Sequence, residues 1–229
     1  MQTKVTYYGH AALGLQIGEH QLLVDPYFTD EKARPDTTGA SCPSFILITH
    51  GHGDHVGDSE AIAKRCDATC ISNYEIANWL SAKGVKTSGQ QIGGGFKYPF
   101  GYLKMTHALH SSSLPDGTYG GNPGGYLLTT PSGKKIYMAG DTGLFYDMVL
   151  IGEEGIDLAV LPVGDYYTMG PDDALRAINL LDPKVVIPIH FNTFDVISQD
   201  VNAWKERVEA ETSAKVKILR PGEHYILEE

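Results

Sequence analysis

The densest chemistry in the sequence is the run Thr49-His50-Gly51-His52-Gly53-Asp54-His55, a His-x-His-x-Asp-His pattern. Imidazole and carboxylate are the donors that zinc and its first-row neighbours accept. The apolar run Phe45-Ile46-Leu47-Ile48-Thr49 just before it reads as a buried strand. On extended backbone, residues two apart project to one side, so His50 and His52 can share an ion. Gly51 and Gly53 let the chain turn and carry Asp54 and His55 towards a second position. In a chain with 9 histidines, chance assembly of this pattern is on the order of one in a thousand. A polar loop without a metal role is a poor account of it.

Three further candidate ligands share a placement at the ends of predicted strands. His110 lies just past residues 102–107, Asp141 follows 135–139, and His190 closes 185–189. Layered α/β folds gather their sites where strands open into loops. Together His50, His52, Asp54, His55, His110, Asp141 and His190 would serve two ions, with Asp141 as the bridge. His107 competes with His110 for the third-histidine place. His10 and Asp25 fall at the ends of early strands, where they would hydrogen-bond ligating histidines or serve structure alone. His20 and His224 sit in turn-like contexts and read as exposed.

These residues need elements to hold them. A hairpin-rich start covers 5–8, 12–17 and 21–25, with Gly18-Glu19-His20 as a turn. A long polar connection, 26–43, follows; such loops inside compact domains are often functional. A helix over 58–65, a strand over 68–72 and a helix capped by Asn73 and ended by Gly84 come next. The middle returns to β at 102–107, 125–130 and 135–139, the last two turned by Pro131-Ser132-Gly133. Strands over 157–163 and 184–189 flank a helix over 172–181 that Pro171 starts. A helix over 198–210 and short strands at 215–219 and 225–227 finish the chain. Hairpins thus alternate with βα units twice, which two mixed sheets packed face to face with helices outside would satisfy. No linker-like tract divides the chain, so residues 1–229 are expected to form one domain.

Bulk composition excludes several classes. The 229 residues suffice for a sizeable core, and 42% hydrophobic with 20% charged residues is a globular balance. A net charge of −10 opposes a broad grip on nucleic acid or anionic membrane. It leaves room for an anionic ester met directly by metal ions. No segment has the apolar length of a membrane span, and the first ten residues do not read as a signal peptide. Cys42, Cys66 and Cys70 are an odd number without CxxC spacing, so reduced thiols and a cytoplasmic location are expected. The glycine tracts at 93–95 and 120–125 read as turns, since neither carries the Gly-Lys-Ser/Thr of a phosphate loop. Ser111-Ser112-Ser113 has no nucleophile elbow beside it and reads as loop polarity.

The motifs resemble the metallo-β-lactamase superfamily, whose fold is a four-layer αββα sandwich of the α/β (α+β) class. They are most similar to the UPF0173 metal-dependent hydrolases, through Tyr8-Gly9-His10, Val24-Asp25-Pro26, the 49–55 run, Ala139-Gly140-Asp141-Thr142 and Pro188-Ile189-His190-Phe191-Asn192-Thr193-Phe194. That family is similar in turn to ascorbate-phosphate lactonases and N-acyl-phosphatidylethanolamine phospholipases D. Ala11 departs from the pattern, which tends to have Ser after Gly-His. The resemblance implies His50, His52 and His110 on one metal, Asp54, His55 and His190 on the other, and Asp141 between them. It also favours His110 over His107 as ligand, leaving His107, with Asn192 and Thr193, as expected substrate contacts.

The chemistry implied is hydrolysis by a metal-activated water, with Asp54 orienting it or moving its proton and Asp141 holding two divalent ions. Zinc is expected first, with manganese, nickel, iron or cobalt as alternatives. Substrate class follows from what is missing. The Cys of class B1 lactamases is absent near Asp141, no glutathione-binding helical domain fits the residues after His190, no basic RNA-grasping arm is visible, and there is no flavin domain. A small ester remains, a phosphodiester first and a lactone second. The competing reading is a metal-binding protein without turnover, which a closed four-ligand site would suit better than this ligand set. A homo-oligomer is a fair prior for an enzyme of this size.

Overall fold

The computed structural model describes residues 2–29 and 32–228, so Asp30 and Glu31 of the 26–43 connection lie outside the described residues. The chain begins with β1 (Thr3–Gly9), β2 (Ala12–Ile17) and β3 (His20–Val24), an antiparallel meander. β4 (Phe45–Leu47), β5 (Thr69–Asn73) and β6 (Lys86–Gln90) then add in parallel. The crossovers carry α1 (Gly53–Val56), α2 (Ser59–Cys66) and α3 (Tyr74–Ser81).

The second sheet repeats the plan. β7 (Gly95–Tyr98), β8 (Gly101–His107), β9 (Gly124–Thr129) and β10 (Lys135–Met138) are antiparallel. β11 (Leu158–Pro162), β12 (Val185–Ile189) and β13 (Lys215–Val216) follow in parallel, connected through α4 (Met148–Gly152), α5 (Pro171–Leu181) and α6 (Val201–Glu211). Last, β14 (His224–Leu227) returns to the first sheet, antiparallel to β1.

Side-chain alternation decides the layers. Leu13, Leu15, Val24 and Leu47 point between the sheets and pack with Phe100, Leu103, Met105, Tyr126, Val160 and Ile187 of the other. The neighbours of Leu47, Ile46 and Ile48, point outward under Ile62 and Ala63 of α2 and Ile76 and Leu80 of α3. On the far side Tyr137, Ala159, Leu161 and Val186 lie under Met148, Ala174, Ile178, Trp204 and Val208. The result is a four-layer αββα sandwich of the α/β class. Each fully buried aliphatic side chain contributes about 1.5–3 kcal/mol, so the central strands are the rigid platform of the molecule.

Local signals explain the boundaries. Asn73 caps α3, its Oδ1 accepting the Ile76 amide at 2.9 Å. Pro171 opens α5, where its missing N–H is not needed. The β2–β3 hairpin pairs Ile17 with His20, so the turn is Gly18-Glu19 and His20 is a strand residue, half-buried, with its ring edge-on to Phe45. His224 is exposed as expected, but within β14. The 120–125 tract is only partly a turn, since Gly124 and Gly125 open β9. A Cβ on Gly125 would stand 2.6 Å from the Met138 carbonyl oxygen, so this strand junction has no room for a side chain.

The expectation for the cysteines fails. Cys42 and Cys66 form a disulfide, which ties the 26–43 connection to the end of α2. The odd cysteine is Cys70, a free buried thiol that burial pushes up to about 12. Sequence spacing could not show that the long connection folds back to α2. Reduced thiols, the basis for expecting a cytoplasmic location, therefore do not describe this pair. Among the described residues, no helix is long and apolar enough to cross a membrane.

Candidate metal centre

The 49–55 run leaves β4 and enters α1, whose first turn carries Asp54 and His55. His50 Nε2 lies 3.0 Å from His52 Nδ1, and His110 Nε2 comes within 3.3 Å of the same atom. Across from this trio, Asp141 Oδ2 sits 3.2 Å from His55 Nε2, 3.0 Å from His190 Nε2 and 3.7 Å from His110 Nε2. Asp54 Oδ2 is 3.8 Å from His190 Nε2 and 4.0 Å from His55 Nε2. The structure therefore gathers all the residues nominated as ligands, in two groups with the Asp141 carboxylate between them.

Two observations test whether these donors fit metal ions. His55 Nε2, which faces the Asp141 carboxylate, and Asp141 Oδ1 are buried and have no hydrogen-bond partner, a rare condition for buried polar atoms. Donors around a tetrahedral zinc at about 2.0–2.1 Å stand roughly 3.4 Å apart, and the trio spacings of 3.0 and 3.3 Å fall near that. The donor set fits a metal centre.

Electrostatics agree. Burial pushes the His50, His52 and His110 imidazoles down, leaving them neutral with a free lone pair, the form that binds metal. Burial alone would raise Asp141, but His55 and His190 beside it hold its carboxyl well below the usual range. Asp54 is likewise raised by burial and held low by its hydrogen bond with His10 and by the nearby His190. Burial opposes charge on His55 and His190, yet Asp141 holds both up, with Asp25 helping at His55; His190 stands at about 9. The carboxylates attract a cation to this point, whether proton or metal.

The supports are as informative as the ligands. Asp25 Oδ2 accepts from His55 Nδ1 at 2.8 Å, and the same carboxylate accepts the Thr49 amide and hydroxyl. That bond fixes the tautomer that aims Nε2 into the centre. His10, expected either to hydrogen-bond a ligating histidine or to serve structure alone, meets Asp54 Oδ2 through its Nε2 at 3.1 Å, and its ring tilts against His190. His10, Asp25 and His190 all have left-handed backbone (φ 51, 43 and 55), and the His190 amide donates to the His10 carbonyl at 2.8 Å. Strained residues of this kind persist where surrounding structure over-determines them. Ser112, a loop serine, is buried, and its Oγ accepts the Gly51 amide while donating to the Gly120 carbonyl. Only its context, invisible in sequence, gives that role.

The three expected substrate contacts are placed elsewhere. His107 ends β8, packs edge-on against Phe145 and lines a separate surface cavity with Leu127, Leu150 and Ile151. His110 lies three residues on, in the loop after β8, and its ring reaches His52 at the centre. Asn192 is engaged at both ends of its amide by Gln199, and Thr193 Oγ1 lies 2.9 Å from His10 Nδ1. Neither lines the cavity over the centre. That cavity, of about 550 Å³, has Asp54, Asp141, His52, His110 and His190 at its floor, with Ser111, Tyr167, Phe194 and Val196 as walls. The walls escaped the sequence reading because exposed aromatic residues in loops carry no periodicity.

The profile of the Beta-lactamase superfamily domain matches residues 20–191. Over 220 residues, 46% are identical to a UPF0173 metal-dependent hydrolase of Thermus thermophilus, covering 96% of this chain and 97% of the relative. The chain belongs to the UPF0173 metal-dependent hydrolase family. A second UPF0173 relative, from Heliobacterium modesticaldum, is 44% identical over 227 residues, covering 96% of this chain and 95% of its own. Among solved structures, Igni18, a metallo hydrolase from the archaeon Ignicoccus hospitalis, is 38% identical with a TM-score of 0.89, covering 100% of this chain and 99% of that one. Membership makes this UPF0173 chain a metal-dependent hydrolase of the β-lactamase superfamily, with His and Asp residues positioned for the metal.

Proposed function

We propose that the chain hydrolyses an ester bond of a small molecule at a centre of two divalent ions, zinc first among them. The carrying observation is Asp141, whose Oδ2 lies within 3.7 Å of ligands from both groups. His50, His52 and His110 would hold one ion, Asp54, His55 and His190 the other, and Asp141 both. When bound, such ions supply Lewis acidity, polarising a substrate oxygen and acidifying water.

The chain's own groups do the rest. Asp54 is ionised and partly open to the cavity, so its carboxylate can accept a hydrogen bond from the attacking water and hold its proton. His10 keeps that carboxylate aimed, and Thr193 keeps His10 aimed in turn. Ser111 Oγ, 3.3 Å from His52 Nε2, offers a hydrogen bond at the cavity wall. Tyr167 and Phe194 limit the water that reaches the floor.

A phosphodiester suits the ions, since its single negative charge would meet them directly. A lactone is the second reading, favoured by the absence of Lys and Arg among the described residues lining the cavity. Elemental analysis of the untreated protein, then assays on bis(4-nitrophenyl) phosphate and a lactone series, tests the proposal. About two metal equivalents and turnover that chelation abolishes and added metal restores are expected. Bound metal with no turnover on either panel would reassign the chain as a metal-binding protein.

A further inference from the structure

Two loops bring apolar side chains to one cavity. Tyr167 comes from the β11–α5 connection, and Phe194 and Val196 from the segment after β12. They are 53%, 43% and 52% exposed, an unusual exposure for large apolar groups gathered round one cavity rather than scattered. The loops are built to hold them there. Asp165 and Tyr166 are consecutive non-glycine residues in left-handed backbone (φ 63 and 55), and Asn192 has φ 55. Asp165 Oδ1 accepts the Tyr166 amide at 2.8 Å, and the Asn192 amide group pairs with the Gln199 backbone. Gln199 then reaches across, its Nε2 donating to the Gly164 carbonyl at 3.0 Å, and so links one loop to the other. Strain maintained in two cross-linked loops points to a shaped wall.

We infer that this wall seats an uncharged apolar group, of aryl or short alkyl size, next to the bond that is cleaved. The inference rests on the hydrolase reading above and narrows its substrate class. The floor is acidic and its positive charge would come from the ions, so the anionic or carbonyl part of the substrate belongs there. Outside the floor no Lys or Arg lines the cavity among the described residues, so a second anionic group would stand against aromatic rings with no counter-charge. Burying a charge in that way is unfavourable, whereas covering an aryl face of the substrate is favourable. Substrates with a second anionic group on the arm are thereby disfavoured against esters with an apolar arm.

The test uses the metal-loaded protein and three non-hydrolysable phosphonates that share one head group: methylphosphonate, phenylphosphonate and 4-carboxyphenylphosphonate. Calorimetric titration should show phenylphosphonate binding at least about tenfold tighter than methylphosphonate. The added carboxylate should remove most of that gain. Phe194→Ser and Val196→Ser should lower affinity for phenylphosphonate and leave methylphosphonate unchanged, while Phe194→Leu keeps most of the gain. Equal binding of the methyl and phenyl compounds, or tightest binding of the carboxylated one, overturns the inference. Phosphonate binding in the expected order with no ester cleaved would leave the wall standing and remove the hydrolase reading. Esters cleaved without preference for an apolar arm would do the reverse.

Discussion

Asp25 and His55 stand thirty positions apart in the chain and meet at 2.8 Å, carboxylate to Nδ1, with both side chains buried. The contact turns a strand end into the orienting partner of a candidate ligand. Asp25→Ala should lower the affinity of one metal by about 10–100-fold and leave the other site near its normal affinity. Competitive chelator titration, with far-ultraviolet dichroism to show that the variant is folded, measures this. Equal weakening of both sites would mean that Asp25 supports the whole loop.

His110 and His107 are separated by only two residues, yet one faces the centre and the other packs on Phe145. His110→Ala should remove about one metal equivalent per chain and most activity. His107→Ala should retain both metals and nearly all activity. Elemental analysis of both variants decides, and the opposite pattern would reverse the ligand assignment.

The Cys42–Cys66 disulfide closes a loop that spans the metal motif. Alkylation of the denatured, unreduced protein should therefore label one thiol, that of Cys70; three labels would refute the pairing. Cys42→Ser should lower stability by roughly 2–4 kcal/mol in denaturant unfolding without reductant. In reducing buffer the difference from the parent should largely vanish.

Asp157 is 7% exposed and accepts from the Lys135 amide at 2.9 Å and from Lys184 Nζ at 2.8 Å. Burial raises its carboxyl, but those donors outweigh burial and hold it below the ordinary value. A depressed folded value means stability that is complete above the unfolded value of about 3.9 and lost as pH falls through the folded one. Asp157→Asn should thus lower the melting temperature at pH 7, by about 2–4 °C per kcal/mol lost. The gap should close below about pH 4. A gap independent of pH would show that packing, not charge, is what the substitution removes.

Much of the architecture was legible beforehand. β4 and β12 are continuous apolar runs because they are covered on both faces, and Asn73 and Pro171 mark their helix starts by chemistry that acts within a few residues. β6 and β7 were not legible. Each lies at a sheet edge, β6 in the first and β7 in the second. Several of their residues face solvent, and half-exposed polar strands carry no alternation to read.

The sequence by itself nominated the candidate ligands of the centre. His50, His52, Asp54 and His55 are local in the chain, and His110, Asp141 and His190 stand where buried strands must end. Only the tertiary structure decided what surrounds them. Asp25 holds His55, Thr193 holds His10 and His10 holds Asp54, Cys42 reaches Cys66, and Tyr167, Phe194 and Val196 wall the cavity. Each of these is a contact between segments distant in sequence. Residue type and spacing record the chemistry that a side chain can do, but not which other side chain the packing of two sheets will bring to it.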